Sequence, residues 1–205
     1  YPVIVRMFND QVVYVKRIQS TKNVGQFRIS IDGEGNCYGA GTFIESLTID
    51  SFTRSYPEQM SSIFITKIDT TGTVKYLQTS SPAAPSTLYL NPILDCTDEG
   101  VCIVVGVLPD ATNLQVTVGS VSITHSTYRF STLFVLRLDP DGSAKYLLES
   151  SSTDMVYSNE GLQVKVDQQR SRVIVGGLYR GDMTFGTLSL TTGTTTNANF
   201  LLQYS

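Results

Sequence analysis

One histidine, three cysteines and no tryptophan in 205 residues leave little raw material for catalysis or for a metal centre. A zinc site would need Cys37, Cys96 and Cys102 together with His125, and no C-x-x-C pair occurs, so zinc is not expected. Counting alone does not exclude a Ser-His-Asp set. Even so, there is no Gly-x-Ser-x-Gly elbow, and no strand-turn-helix context that would strain a serine, so His125 is expected to be an exposed loop residue. Charge is scarce too: 15 Lys and Arg stand against 18 Asp and Glu, a net charge of −3, which gives no basic footprint for nucleic acid or anionic lipid. The longest apolar run, residues 101–108, is eight residues long and contains Gly106; it reads as a buried strand, far short of a membrane span. No Asn-x-Ser/Thr sequon occurs, so N-glycosylation says nothing of compartment. Neither an initiator Met nor a signal peptide opens the chain, which is expected to be a mature, processed protein or a segment of something longer.

What is present is a recurring phrase. Residues 62–77 read SIFITKIDTTGTVKYL and residues 132–147 read TLFVLRLDPDGSAKYL, with Phe64 and Phe134 70 residues apart. A third copy is cut short at residues 199–204, NFLLQY. A degenerate copy opens the chain, with Arg6 in the place of Lys67 and Tyr14 in the place of Tyr76. A second phrase accompanies it: an apolar run ending in Asp32, Asp95 or Asp167, a polar turn, then a run ending in Gly41, Gly106 or Gly177. Both phrases read as hairpins. In the first, the Asp-x-x-Gly turns are residues 69–72 and 139–142, where Asp binds the backbone ahead of it and Gly supplies positive φ. Hydrophobic residues make up 41% of the chain, enough for a packed core, and no helical period is long enough to compete. The expected organisation is one all-β repeat array over residues 1–205, with units at about 3–62, 63–132 and 133–199 and a surplus strand at 199–205. Polar connectors are expected at 20–25, 79–91 and 150–161, and the Thr-rich stretch 191–196 reads as an exposed turn or an O-glycosylated one.

The pattern Phe-x-x-Lys-h-Asp-x-x-Gly at 64–76 and 134–146, with h-x-h-x-Gly-x-aromatic at 164–179, resembles the repeat of bacterial extracellular seven-bladed β-propeller proteins. Tyr14, Tyr76 and Tyr146 stand where that family usually carries Trp. The resemblance implies four-stranded antiparallel blades, secretion and mostly non-catalytic roles, and it brings no catalytic residues. Three units are too few to close a ring of about four to eight blades, so the array is expected to be open or completed by other chains. The expected partners are copies of itself, in a ring or a head-to-tail filament, or neighbouring blades of a longer chain, with carbohydrate as a further candidate. Asn199, Phe200, Leu201, Leu202 and Tyr204 of the surplus strand are the interaction candidates.

Cys96 and Cys102 flank a turn and would face each other across a hairpin, so a disulfide is expected; Cys37 lacks such a partner and is expected to be a buried free thiol. The acidic groups Asp139, Asp141 and Glu149, and Asp95, Asp98 and Glu99, are explained by turn chemistry, since the Gly and Glu positions do not match a calcium loop. Arg6, Lys67 and Arg137 are expected to pair with Asp residues of adjacent turns rather than to bind an anion or sugar. The functional expectation is a non-enzymatic extracellular structural protein without cofactor or metal, a subunit or segment of a larger β-propeller-type assembly or filament. The alternative is a cell-surface carbohydrate- or protein-binding propeller module using loops 82–91 and 124–129; a propeller hydrolase comes last.

Overall fold

Short runs of β-branched and aromatic residues, punctuated by Asp and Gly, favour pleated strands joined by tight turns. The computed structural model follows that pattern and describes residues 2–57, 60–81, 84–85, 91–108, 114–125, 132–152, 156–157, 162–191 and 197–204. Among these residues the one helical element is a 3₁₀ turn, Gln168–Arg170.

A hairpin opens the chain, β1 (Val3–Phe8) against β2 (Gln11–Arg17). The first large sheet runs β3 (Val24–Ile31), β4 (Cys37–Ile44), β5 (Met60–Ile68), β6 (Val74–Thr79), with Ala84–Pro85 added beside β5. The second runs β7 (Ile93–Cys96), β8 (Cys102–Leu108), β9 (Thr132–Leu138), β10 (Ala144–Glu149). In the third, β12 (Arg172–Arg180) is central, with β11 (Gln163–Asp167) along one edge and β13 (Asn197–Tyr204) along the other. Small hairpins at the periphery complete seven sheets among the described residues.

Four hairpin turns share one geometry. Asp32, Asp69, Thr97 and Asp139 each donate their N–H to the carbonyl four residues on, at 2.9 to 3.1 Å, and accept from the glycine three residues on, at 2.9 to 3.0 Å. Those glycines, Gly35, Gly72, Gly100 and Gly142, lie at φ between +82° and +91°, where a Cβ would be strained. The turns expected at 69–72 and 139–142 are therefore present. The one expected to begin at Asp95 starts two residues later, at Thr97, because β7 runs on to Cys96.

The sheets are layered face to face. One apolar cluster joins the opening hairpin to the first sheet through Ile4, Tyr14, Phe43 and Phe64. A second fills the space between the first and second sheets, around Ile65, Val104 and Phe134. A third joins the second and third sheets through Ile103, Val105, Val175 and Phe200. β8 supplies residues to both of the latter clusters, which is why all seven of its residues are buried and why it reads as a continuous apolar run.

The β-propeller expectation is overturned. The strands fall into seven separate, open sheets, and none closes into an arrangement of blades. The sheets are not uniform either: they hold two, three, four or five strands. The structural-subunit and filament role, and the alternative propeller binding module, lose their basis with the ring. The physical reason is that Phe, Asp and Gly at those spacings specify a hairpin and its turn. Hairpins of that kind serve many sheet arrangements, and ring closure depends on packing between sheets that no short motif encodes.

Candidate interaction surfaces

Three cross-strand pairs share one composition: Arg6 faces Tyr14, Lys67 faces Tyr76, and Arg137 faces Tyr146. The strand register shifts immediately after each basic residue. Two of these pairs grip a neighbouring turn. The Tyr14 ring lies under Gly72 and the Tyr76 ring under Gly142, so closely that a Cβ on either glycine would come within 2.9 Å and 2.8 Å of the ring. Arg6 Nη1 donates to the Gly35 carbonyl (3.1 Å), and Lys67 Nζ donates to the Pro140 carbonyl (3.4 Å). Lys67 also stands 4.0 Å from the Asp32 carboxylate and 5.1 Å over the Tyr38 ring. Pairing with adjacent turns is therefore what Arg6 and Lys67 do, although Arg6 finds a carbonyl where a carboxylate was expected.

Arg137 differs. Its Nε is buried without a hydrogen bond, 3.8 Å from Asp139 Oδ1, and Asp139 is itself held by Lys145 at 3.0 Å. The guanidinium and the half-buried Tyr146 open onto a cleft of about 580 Å³ between the second and third sheets. Ile103, Leu148, Val166 and Val173 give it aliphatic walls. Arg172 also lines it, and its side chain makes no hydrogen bond or ion pair among the described residues.

Two carboxylates are held behind these surfaces, Asp32 within its own sheet and Asp95 between sheets. Asp32 accepts from Asn36 N and Nδ2 (both 2.8 Å), Tyr38 Oη (2.9 Å) and Glu34 N (3.1 Å). Burial alone would raise its pKa; the hydrogen bonds from Asn36 and Tyr38, with Lys67 nearby, outweigh that and hold it below the usual carboxylate value. Asp95 accepts from Ser30 Oγ (3.3 Å) of β3, and from Lys165 Nζ (3.2 Å) and Val166 N (2.9 Å) of β11, so one side chain bridges three sheets. Asp98 and Glu99 are engaged as well: Gly33 N donates to Asp98 O (3.1 Å), and Gln168 bonds both Asp98 N and the Glu99 carboxylate. Among the described residues no group of three or more His, Cys, Asp or Glu is placed to hold a metal ion.

The other end of the layered sheets is apolar. Among the described residues, nine of the twelve exposed large hydrophobics fall within residues 3–31, at 46% to 65% exposure. Val5 and Met7 of β1, Val15 of β2, and Ile29 and Ile31 of β3 carry much of this surface, with Phe8 at the hairpin tip. Among the described residues β1 pairs with β2 alone, so its second edge is open. A smaller cleft of about 370 Å³ lies where the hairpin meets β3, with Arg6, Tyr14 and Cys37 in its wall.

The surplus-strand candidates all lie on β13. Phe200 and Leu202 point into the core, Asn199 is exposed, Leu201 is 73% exposed, and Tyr204 pairs with Val173 through the backbone. Cys96 and Cys102 are joined by a disulfide across the β7–β8 hairpin, their Cα atoms 4.1 Å apart, while Cys37 is free and buried. His125 ends the peripheral strand Val121–His125. The loops of 82–91 and 124–129 and the turn at 191–196 lie largely outside the described residues. Sequence reasoning missed the bridging by Asp95, the cleft arginine Arg172 and the exposed amino-terminal face. Only the last had a signal, since Val3, Val5 and Met7 alternate with Ile4 and Arg6, an apolar set left over on the face opposite the core. No protein-family model matches the chain, and neither does any curated protein or solved structure.

Proposed function

We propose that this chain is a non-catalytic protein-binding module whose amino-terminal surface pairs with a second copy of itself about a twofold axis. The observation that carries this reading is the concentration of nine exposed large hydrophobics in residues 3–31 beside the open edge of β1. Exposed large hydrophobics scattered singly are ordinary on a monomer, whereas a concentration of them in one stretch of chain marks an interaction surface. An open antiparallel edge is self-complementary under a twofold, and such a pair closes on itself and does not propagate. The Cys96–Cys102 disulfide supports an oxidising compartment, so we place the module outside the cell or at its surface.

Light scattering coupled to gel filtration tests this. The parent chain is expected to run as a dimer at tens of micromolar. Val5→Lys combined with Val15→Lys is expected to yield a monomer that keeps the β-sheet circular dichroism spectrum of the parent, because both side chains are already half exposed. A parent chain that stays monomeric across that range sinks the reading.

A further inference from the structure

We propose that the cleft between the second and third sheets receives a glycine-containing β-turn of a partner polypeptide, seated on Tyr146 and held through its carbonyls by Arg137. This inference stands apart from self-pairing, because the cleft shares no residue with the amino-terminal surface.

The argument comes from what the two other basic–tyrosine pairs hold. Lys67 and Tyr76 together take the turn at 139–142, the lysine on the Pro140 carbonyl and the ring under Gly142. Tyr14 takes Gly72 of the turn at 69–72, while Arg6 takes the Gly35 carbonyl. In each case a tyrosine face packs on a glycine that has no room for a Cβ, and a cation donates to a turn carbonyl. Arg137 and Tyr146 have the same cross-strand pairing and the same register shift after the basic residue, yet among the described residues no turn glycine packs on the Tyr146 ring, and the turn of 168–171 only lines the cleft beside it. In their place is a cleft of about 580 Å³, and Arg137 Nε remains buried without a hydrogen bond. A turn carbonyl entering the cleft would meet the guanidinium that carries this unbonded nitrogen.

The lining selects a turn over a simple anion. The Glu99 carboxylate stands in the same cleft and repels a bare anion, whereas the N–H groups of a turn can face it. The aliphatic walls from Ile103, Leu148 and Val173 match the strands flanking such a turn and have little to offer a sugar. Arg172 adds a second guanidinium for a turn that begins, like those at 32–35 and 69–72, with aspartate.

The probe is a fluorescein-labelled, disulfide-cyclised hairpin peptide with the chain's own sequence over residues 67–76, followed by polarisation. Saturable binding is expected. It should weaken at least tenfold in Tyr146→Ala, at least tenfold in Arg137→Met, and at least tenfold when the peptide carries Gly72→Val. Tyr146→Phe keeps the ring and should bind like the parent; it also guards against a folding defect in the alanine variant, as does an unchanged thermal midpoint. The whole series is run in the Val5→Lys, Val15→Lys background, so that self-pairing does not enter the reading. Three outcomes overturn the proposal: no saturable binding up to millimolar peptide, binding unaffected by both Tyr146→Ala and Arg137→Met, or displacement of the peptide by benzoate with the Gly72→Val peptide binding as well as the original. The last would make the cleft an anion site.

Discussion

Phe134→Ala is expected to lower the free energy of unfolding by about 3–5 kcal/mol, the range for a buried phenylalanine truncated in a packed core. Phe134 is 2% exposed and sits opposite Gly106 across the β8–β9 pairing. The same relation joins Phe64 to Gly41 and Phe200 to Gly177, where the ring lies over the glycine so closely that a Cβ there would come within 2.8 Å and 2.9 Å of it. The phenylalanine covers the strand backbone that a glycine leaves bare, so deleting the ring removes apolar burial and opens a void that neither backbone can fill. Urea denaturation followed by tyrosine fluorescence gives the number. A loss below about 1 kcal/mol would mean that the sheets do not meet across this residue.

Asp32→Ala is expected to cost about 3 kcal/mol, because it strips the acceptor from the buried Tyr38 hydroxyl and from the Asn36 backbone N–H, each carrying a penalty of ~1–3 kcal/mol, while Asn36 Nδ2 keeps only Glu34. The same carboxylate predicts a pH dependence. Its pKa is depressed in the folded state relative to an ordinary value of 3.8, so its contribution is fully present above about pH 4–5 and is lost as pH falls through the folded pKa. Asp69 acts in the same sense: hydrogen bonds from Thr71, then Thr73, outweigh desolvation and hold it low. Stability should therefore be flat from pH 7 to about 5 and fall on further acidification. Asp32→Asn should leave a shallower acid limb than the parent. Equal slopes for the two proteins would show that this carboxylate gains nothing from its neighbours.

How far the chain could be read in advance follows the range of the forces involved. Asp69 and Asp139 announce their turns because a carboxylate or backbone N–H bonds groups only two to four residues away. Cys96 and Cys102 announce their disulfide because a short turn brings them opposite one another. The buried β8 was legible for a similar reason, as a run of apolar residues with no polar face to present to water. The ring of blades was a misreading, because closure depends on how one sheet lies on the next, and the sheets here stay open. That arrangement is set by contacts such as Asp95 to Ser30, 65 residues apart, and Asp98 to Gln168, 70 apart. Asp95 was read as the end of a run and a turn signal; its place on β7 turns it instead toward two other sheets. The matched trio of Arg6, Lys67 and Arg137 could be found by alignment, but which of them would be left without a turn to hold could not. That depended on where the third sheet falls relative to Tyr146.

Cys37 turns the amino-terminal hairpin into its own reporter. The thiol is buried in the wall of the cleft between that hairpin and β3, and desolvation raises its pKa, so little nucleophilic thiolate exists while the hairpin stays seated. Alkylation of the native chain by iodoacetamide should proceed at the frequency with which β1 and β2 lift away, far slower than for a solvated cysteine. Because the other two cysteines are locked together, the mass gained by one carbamidomethyl group becomes a clock for that opening, and a ligand that clamps the hairpin down would slow it.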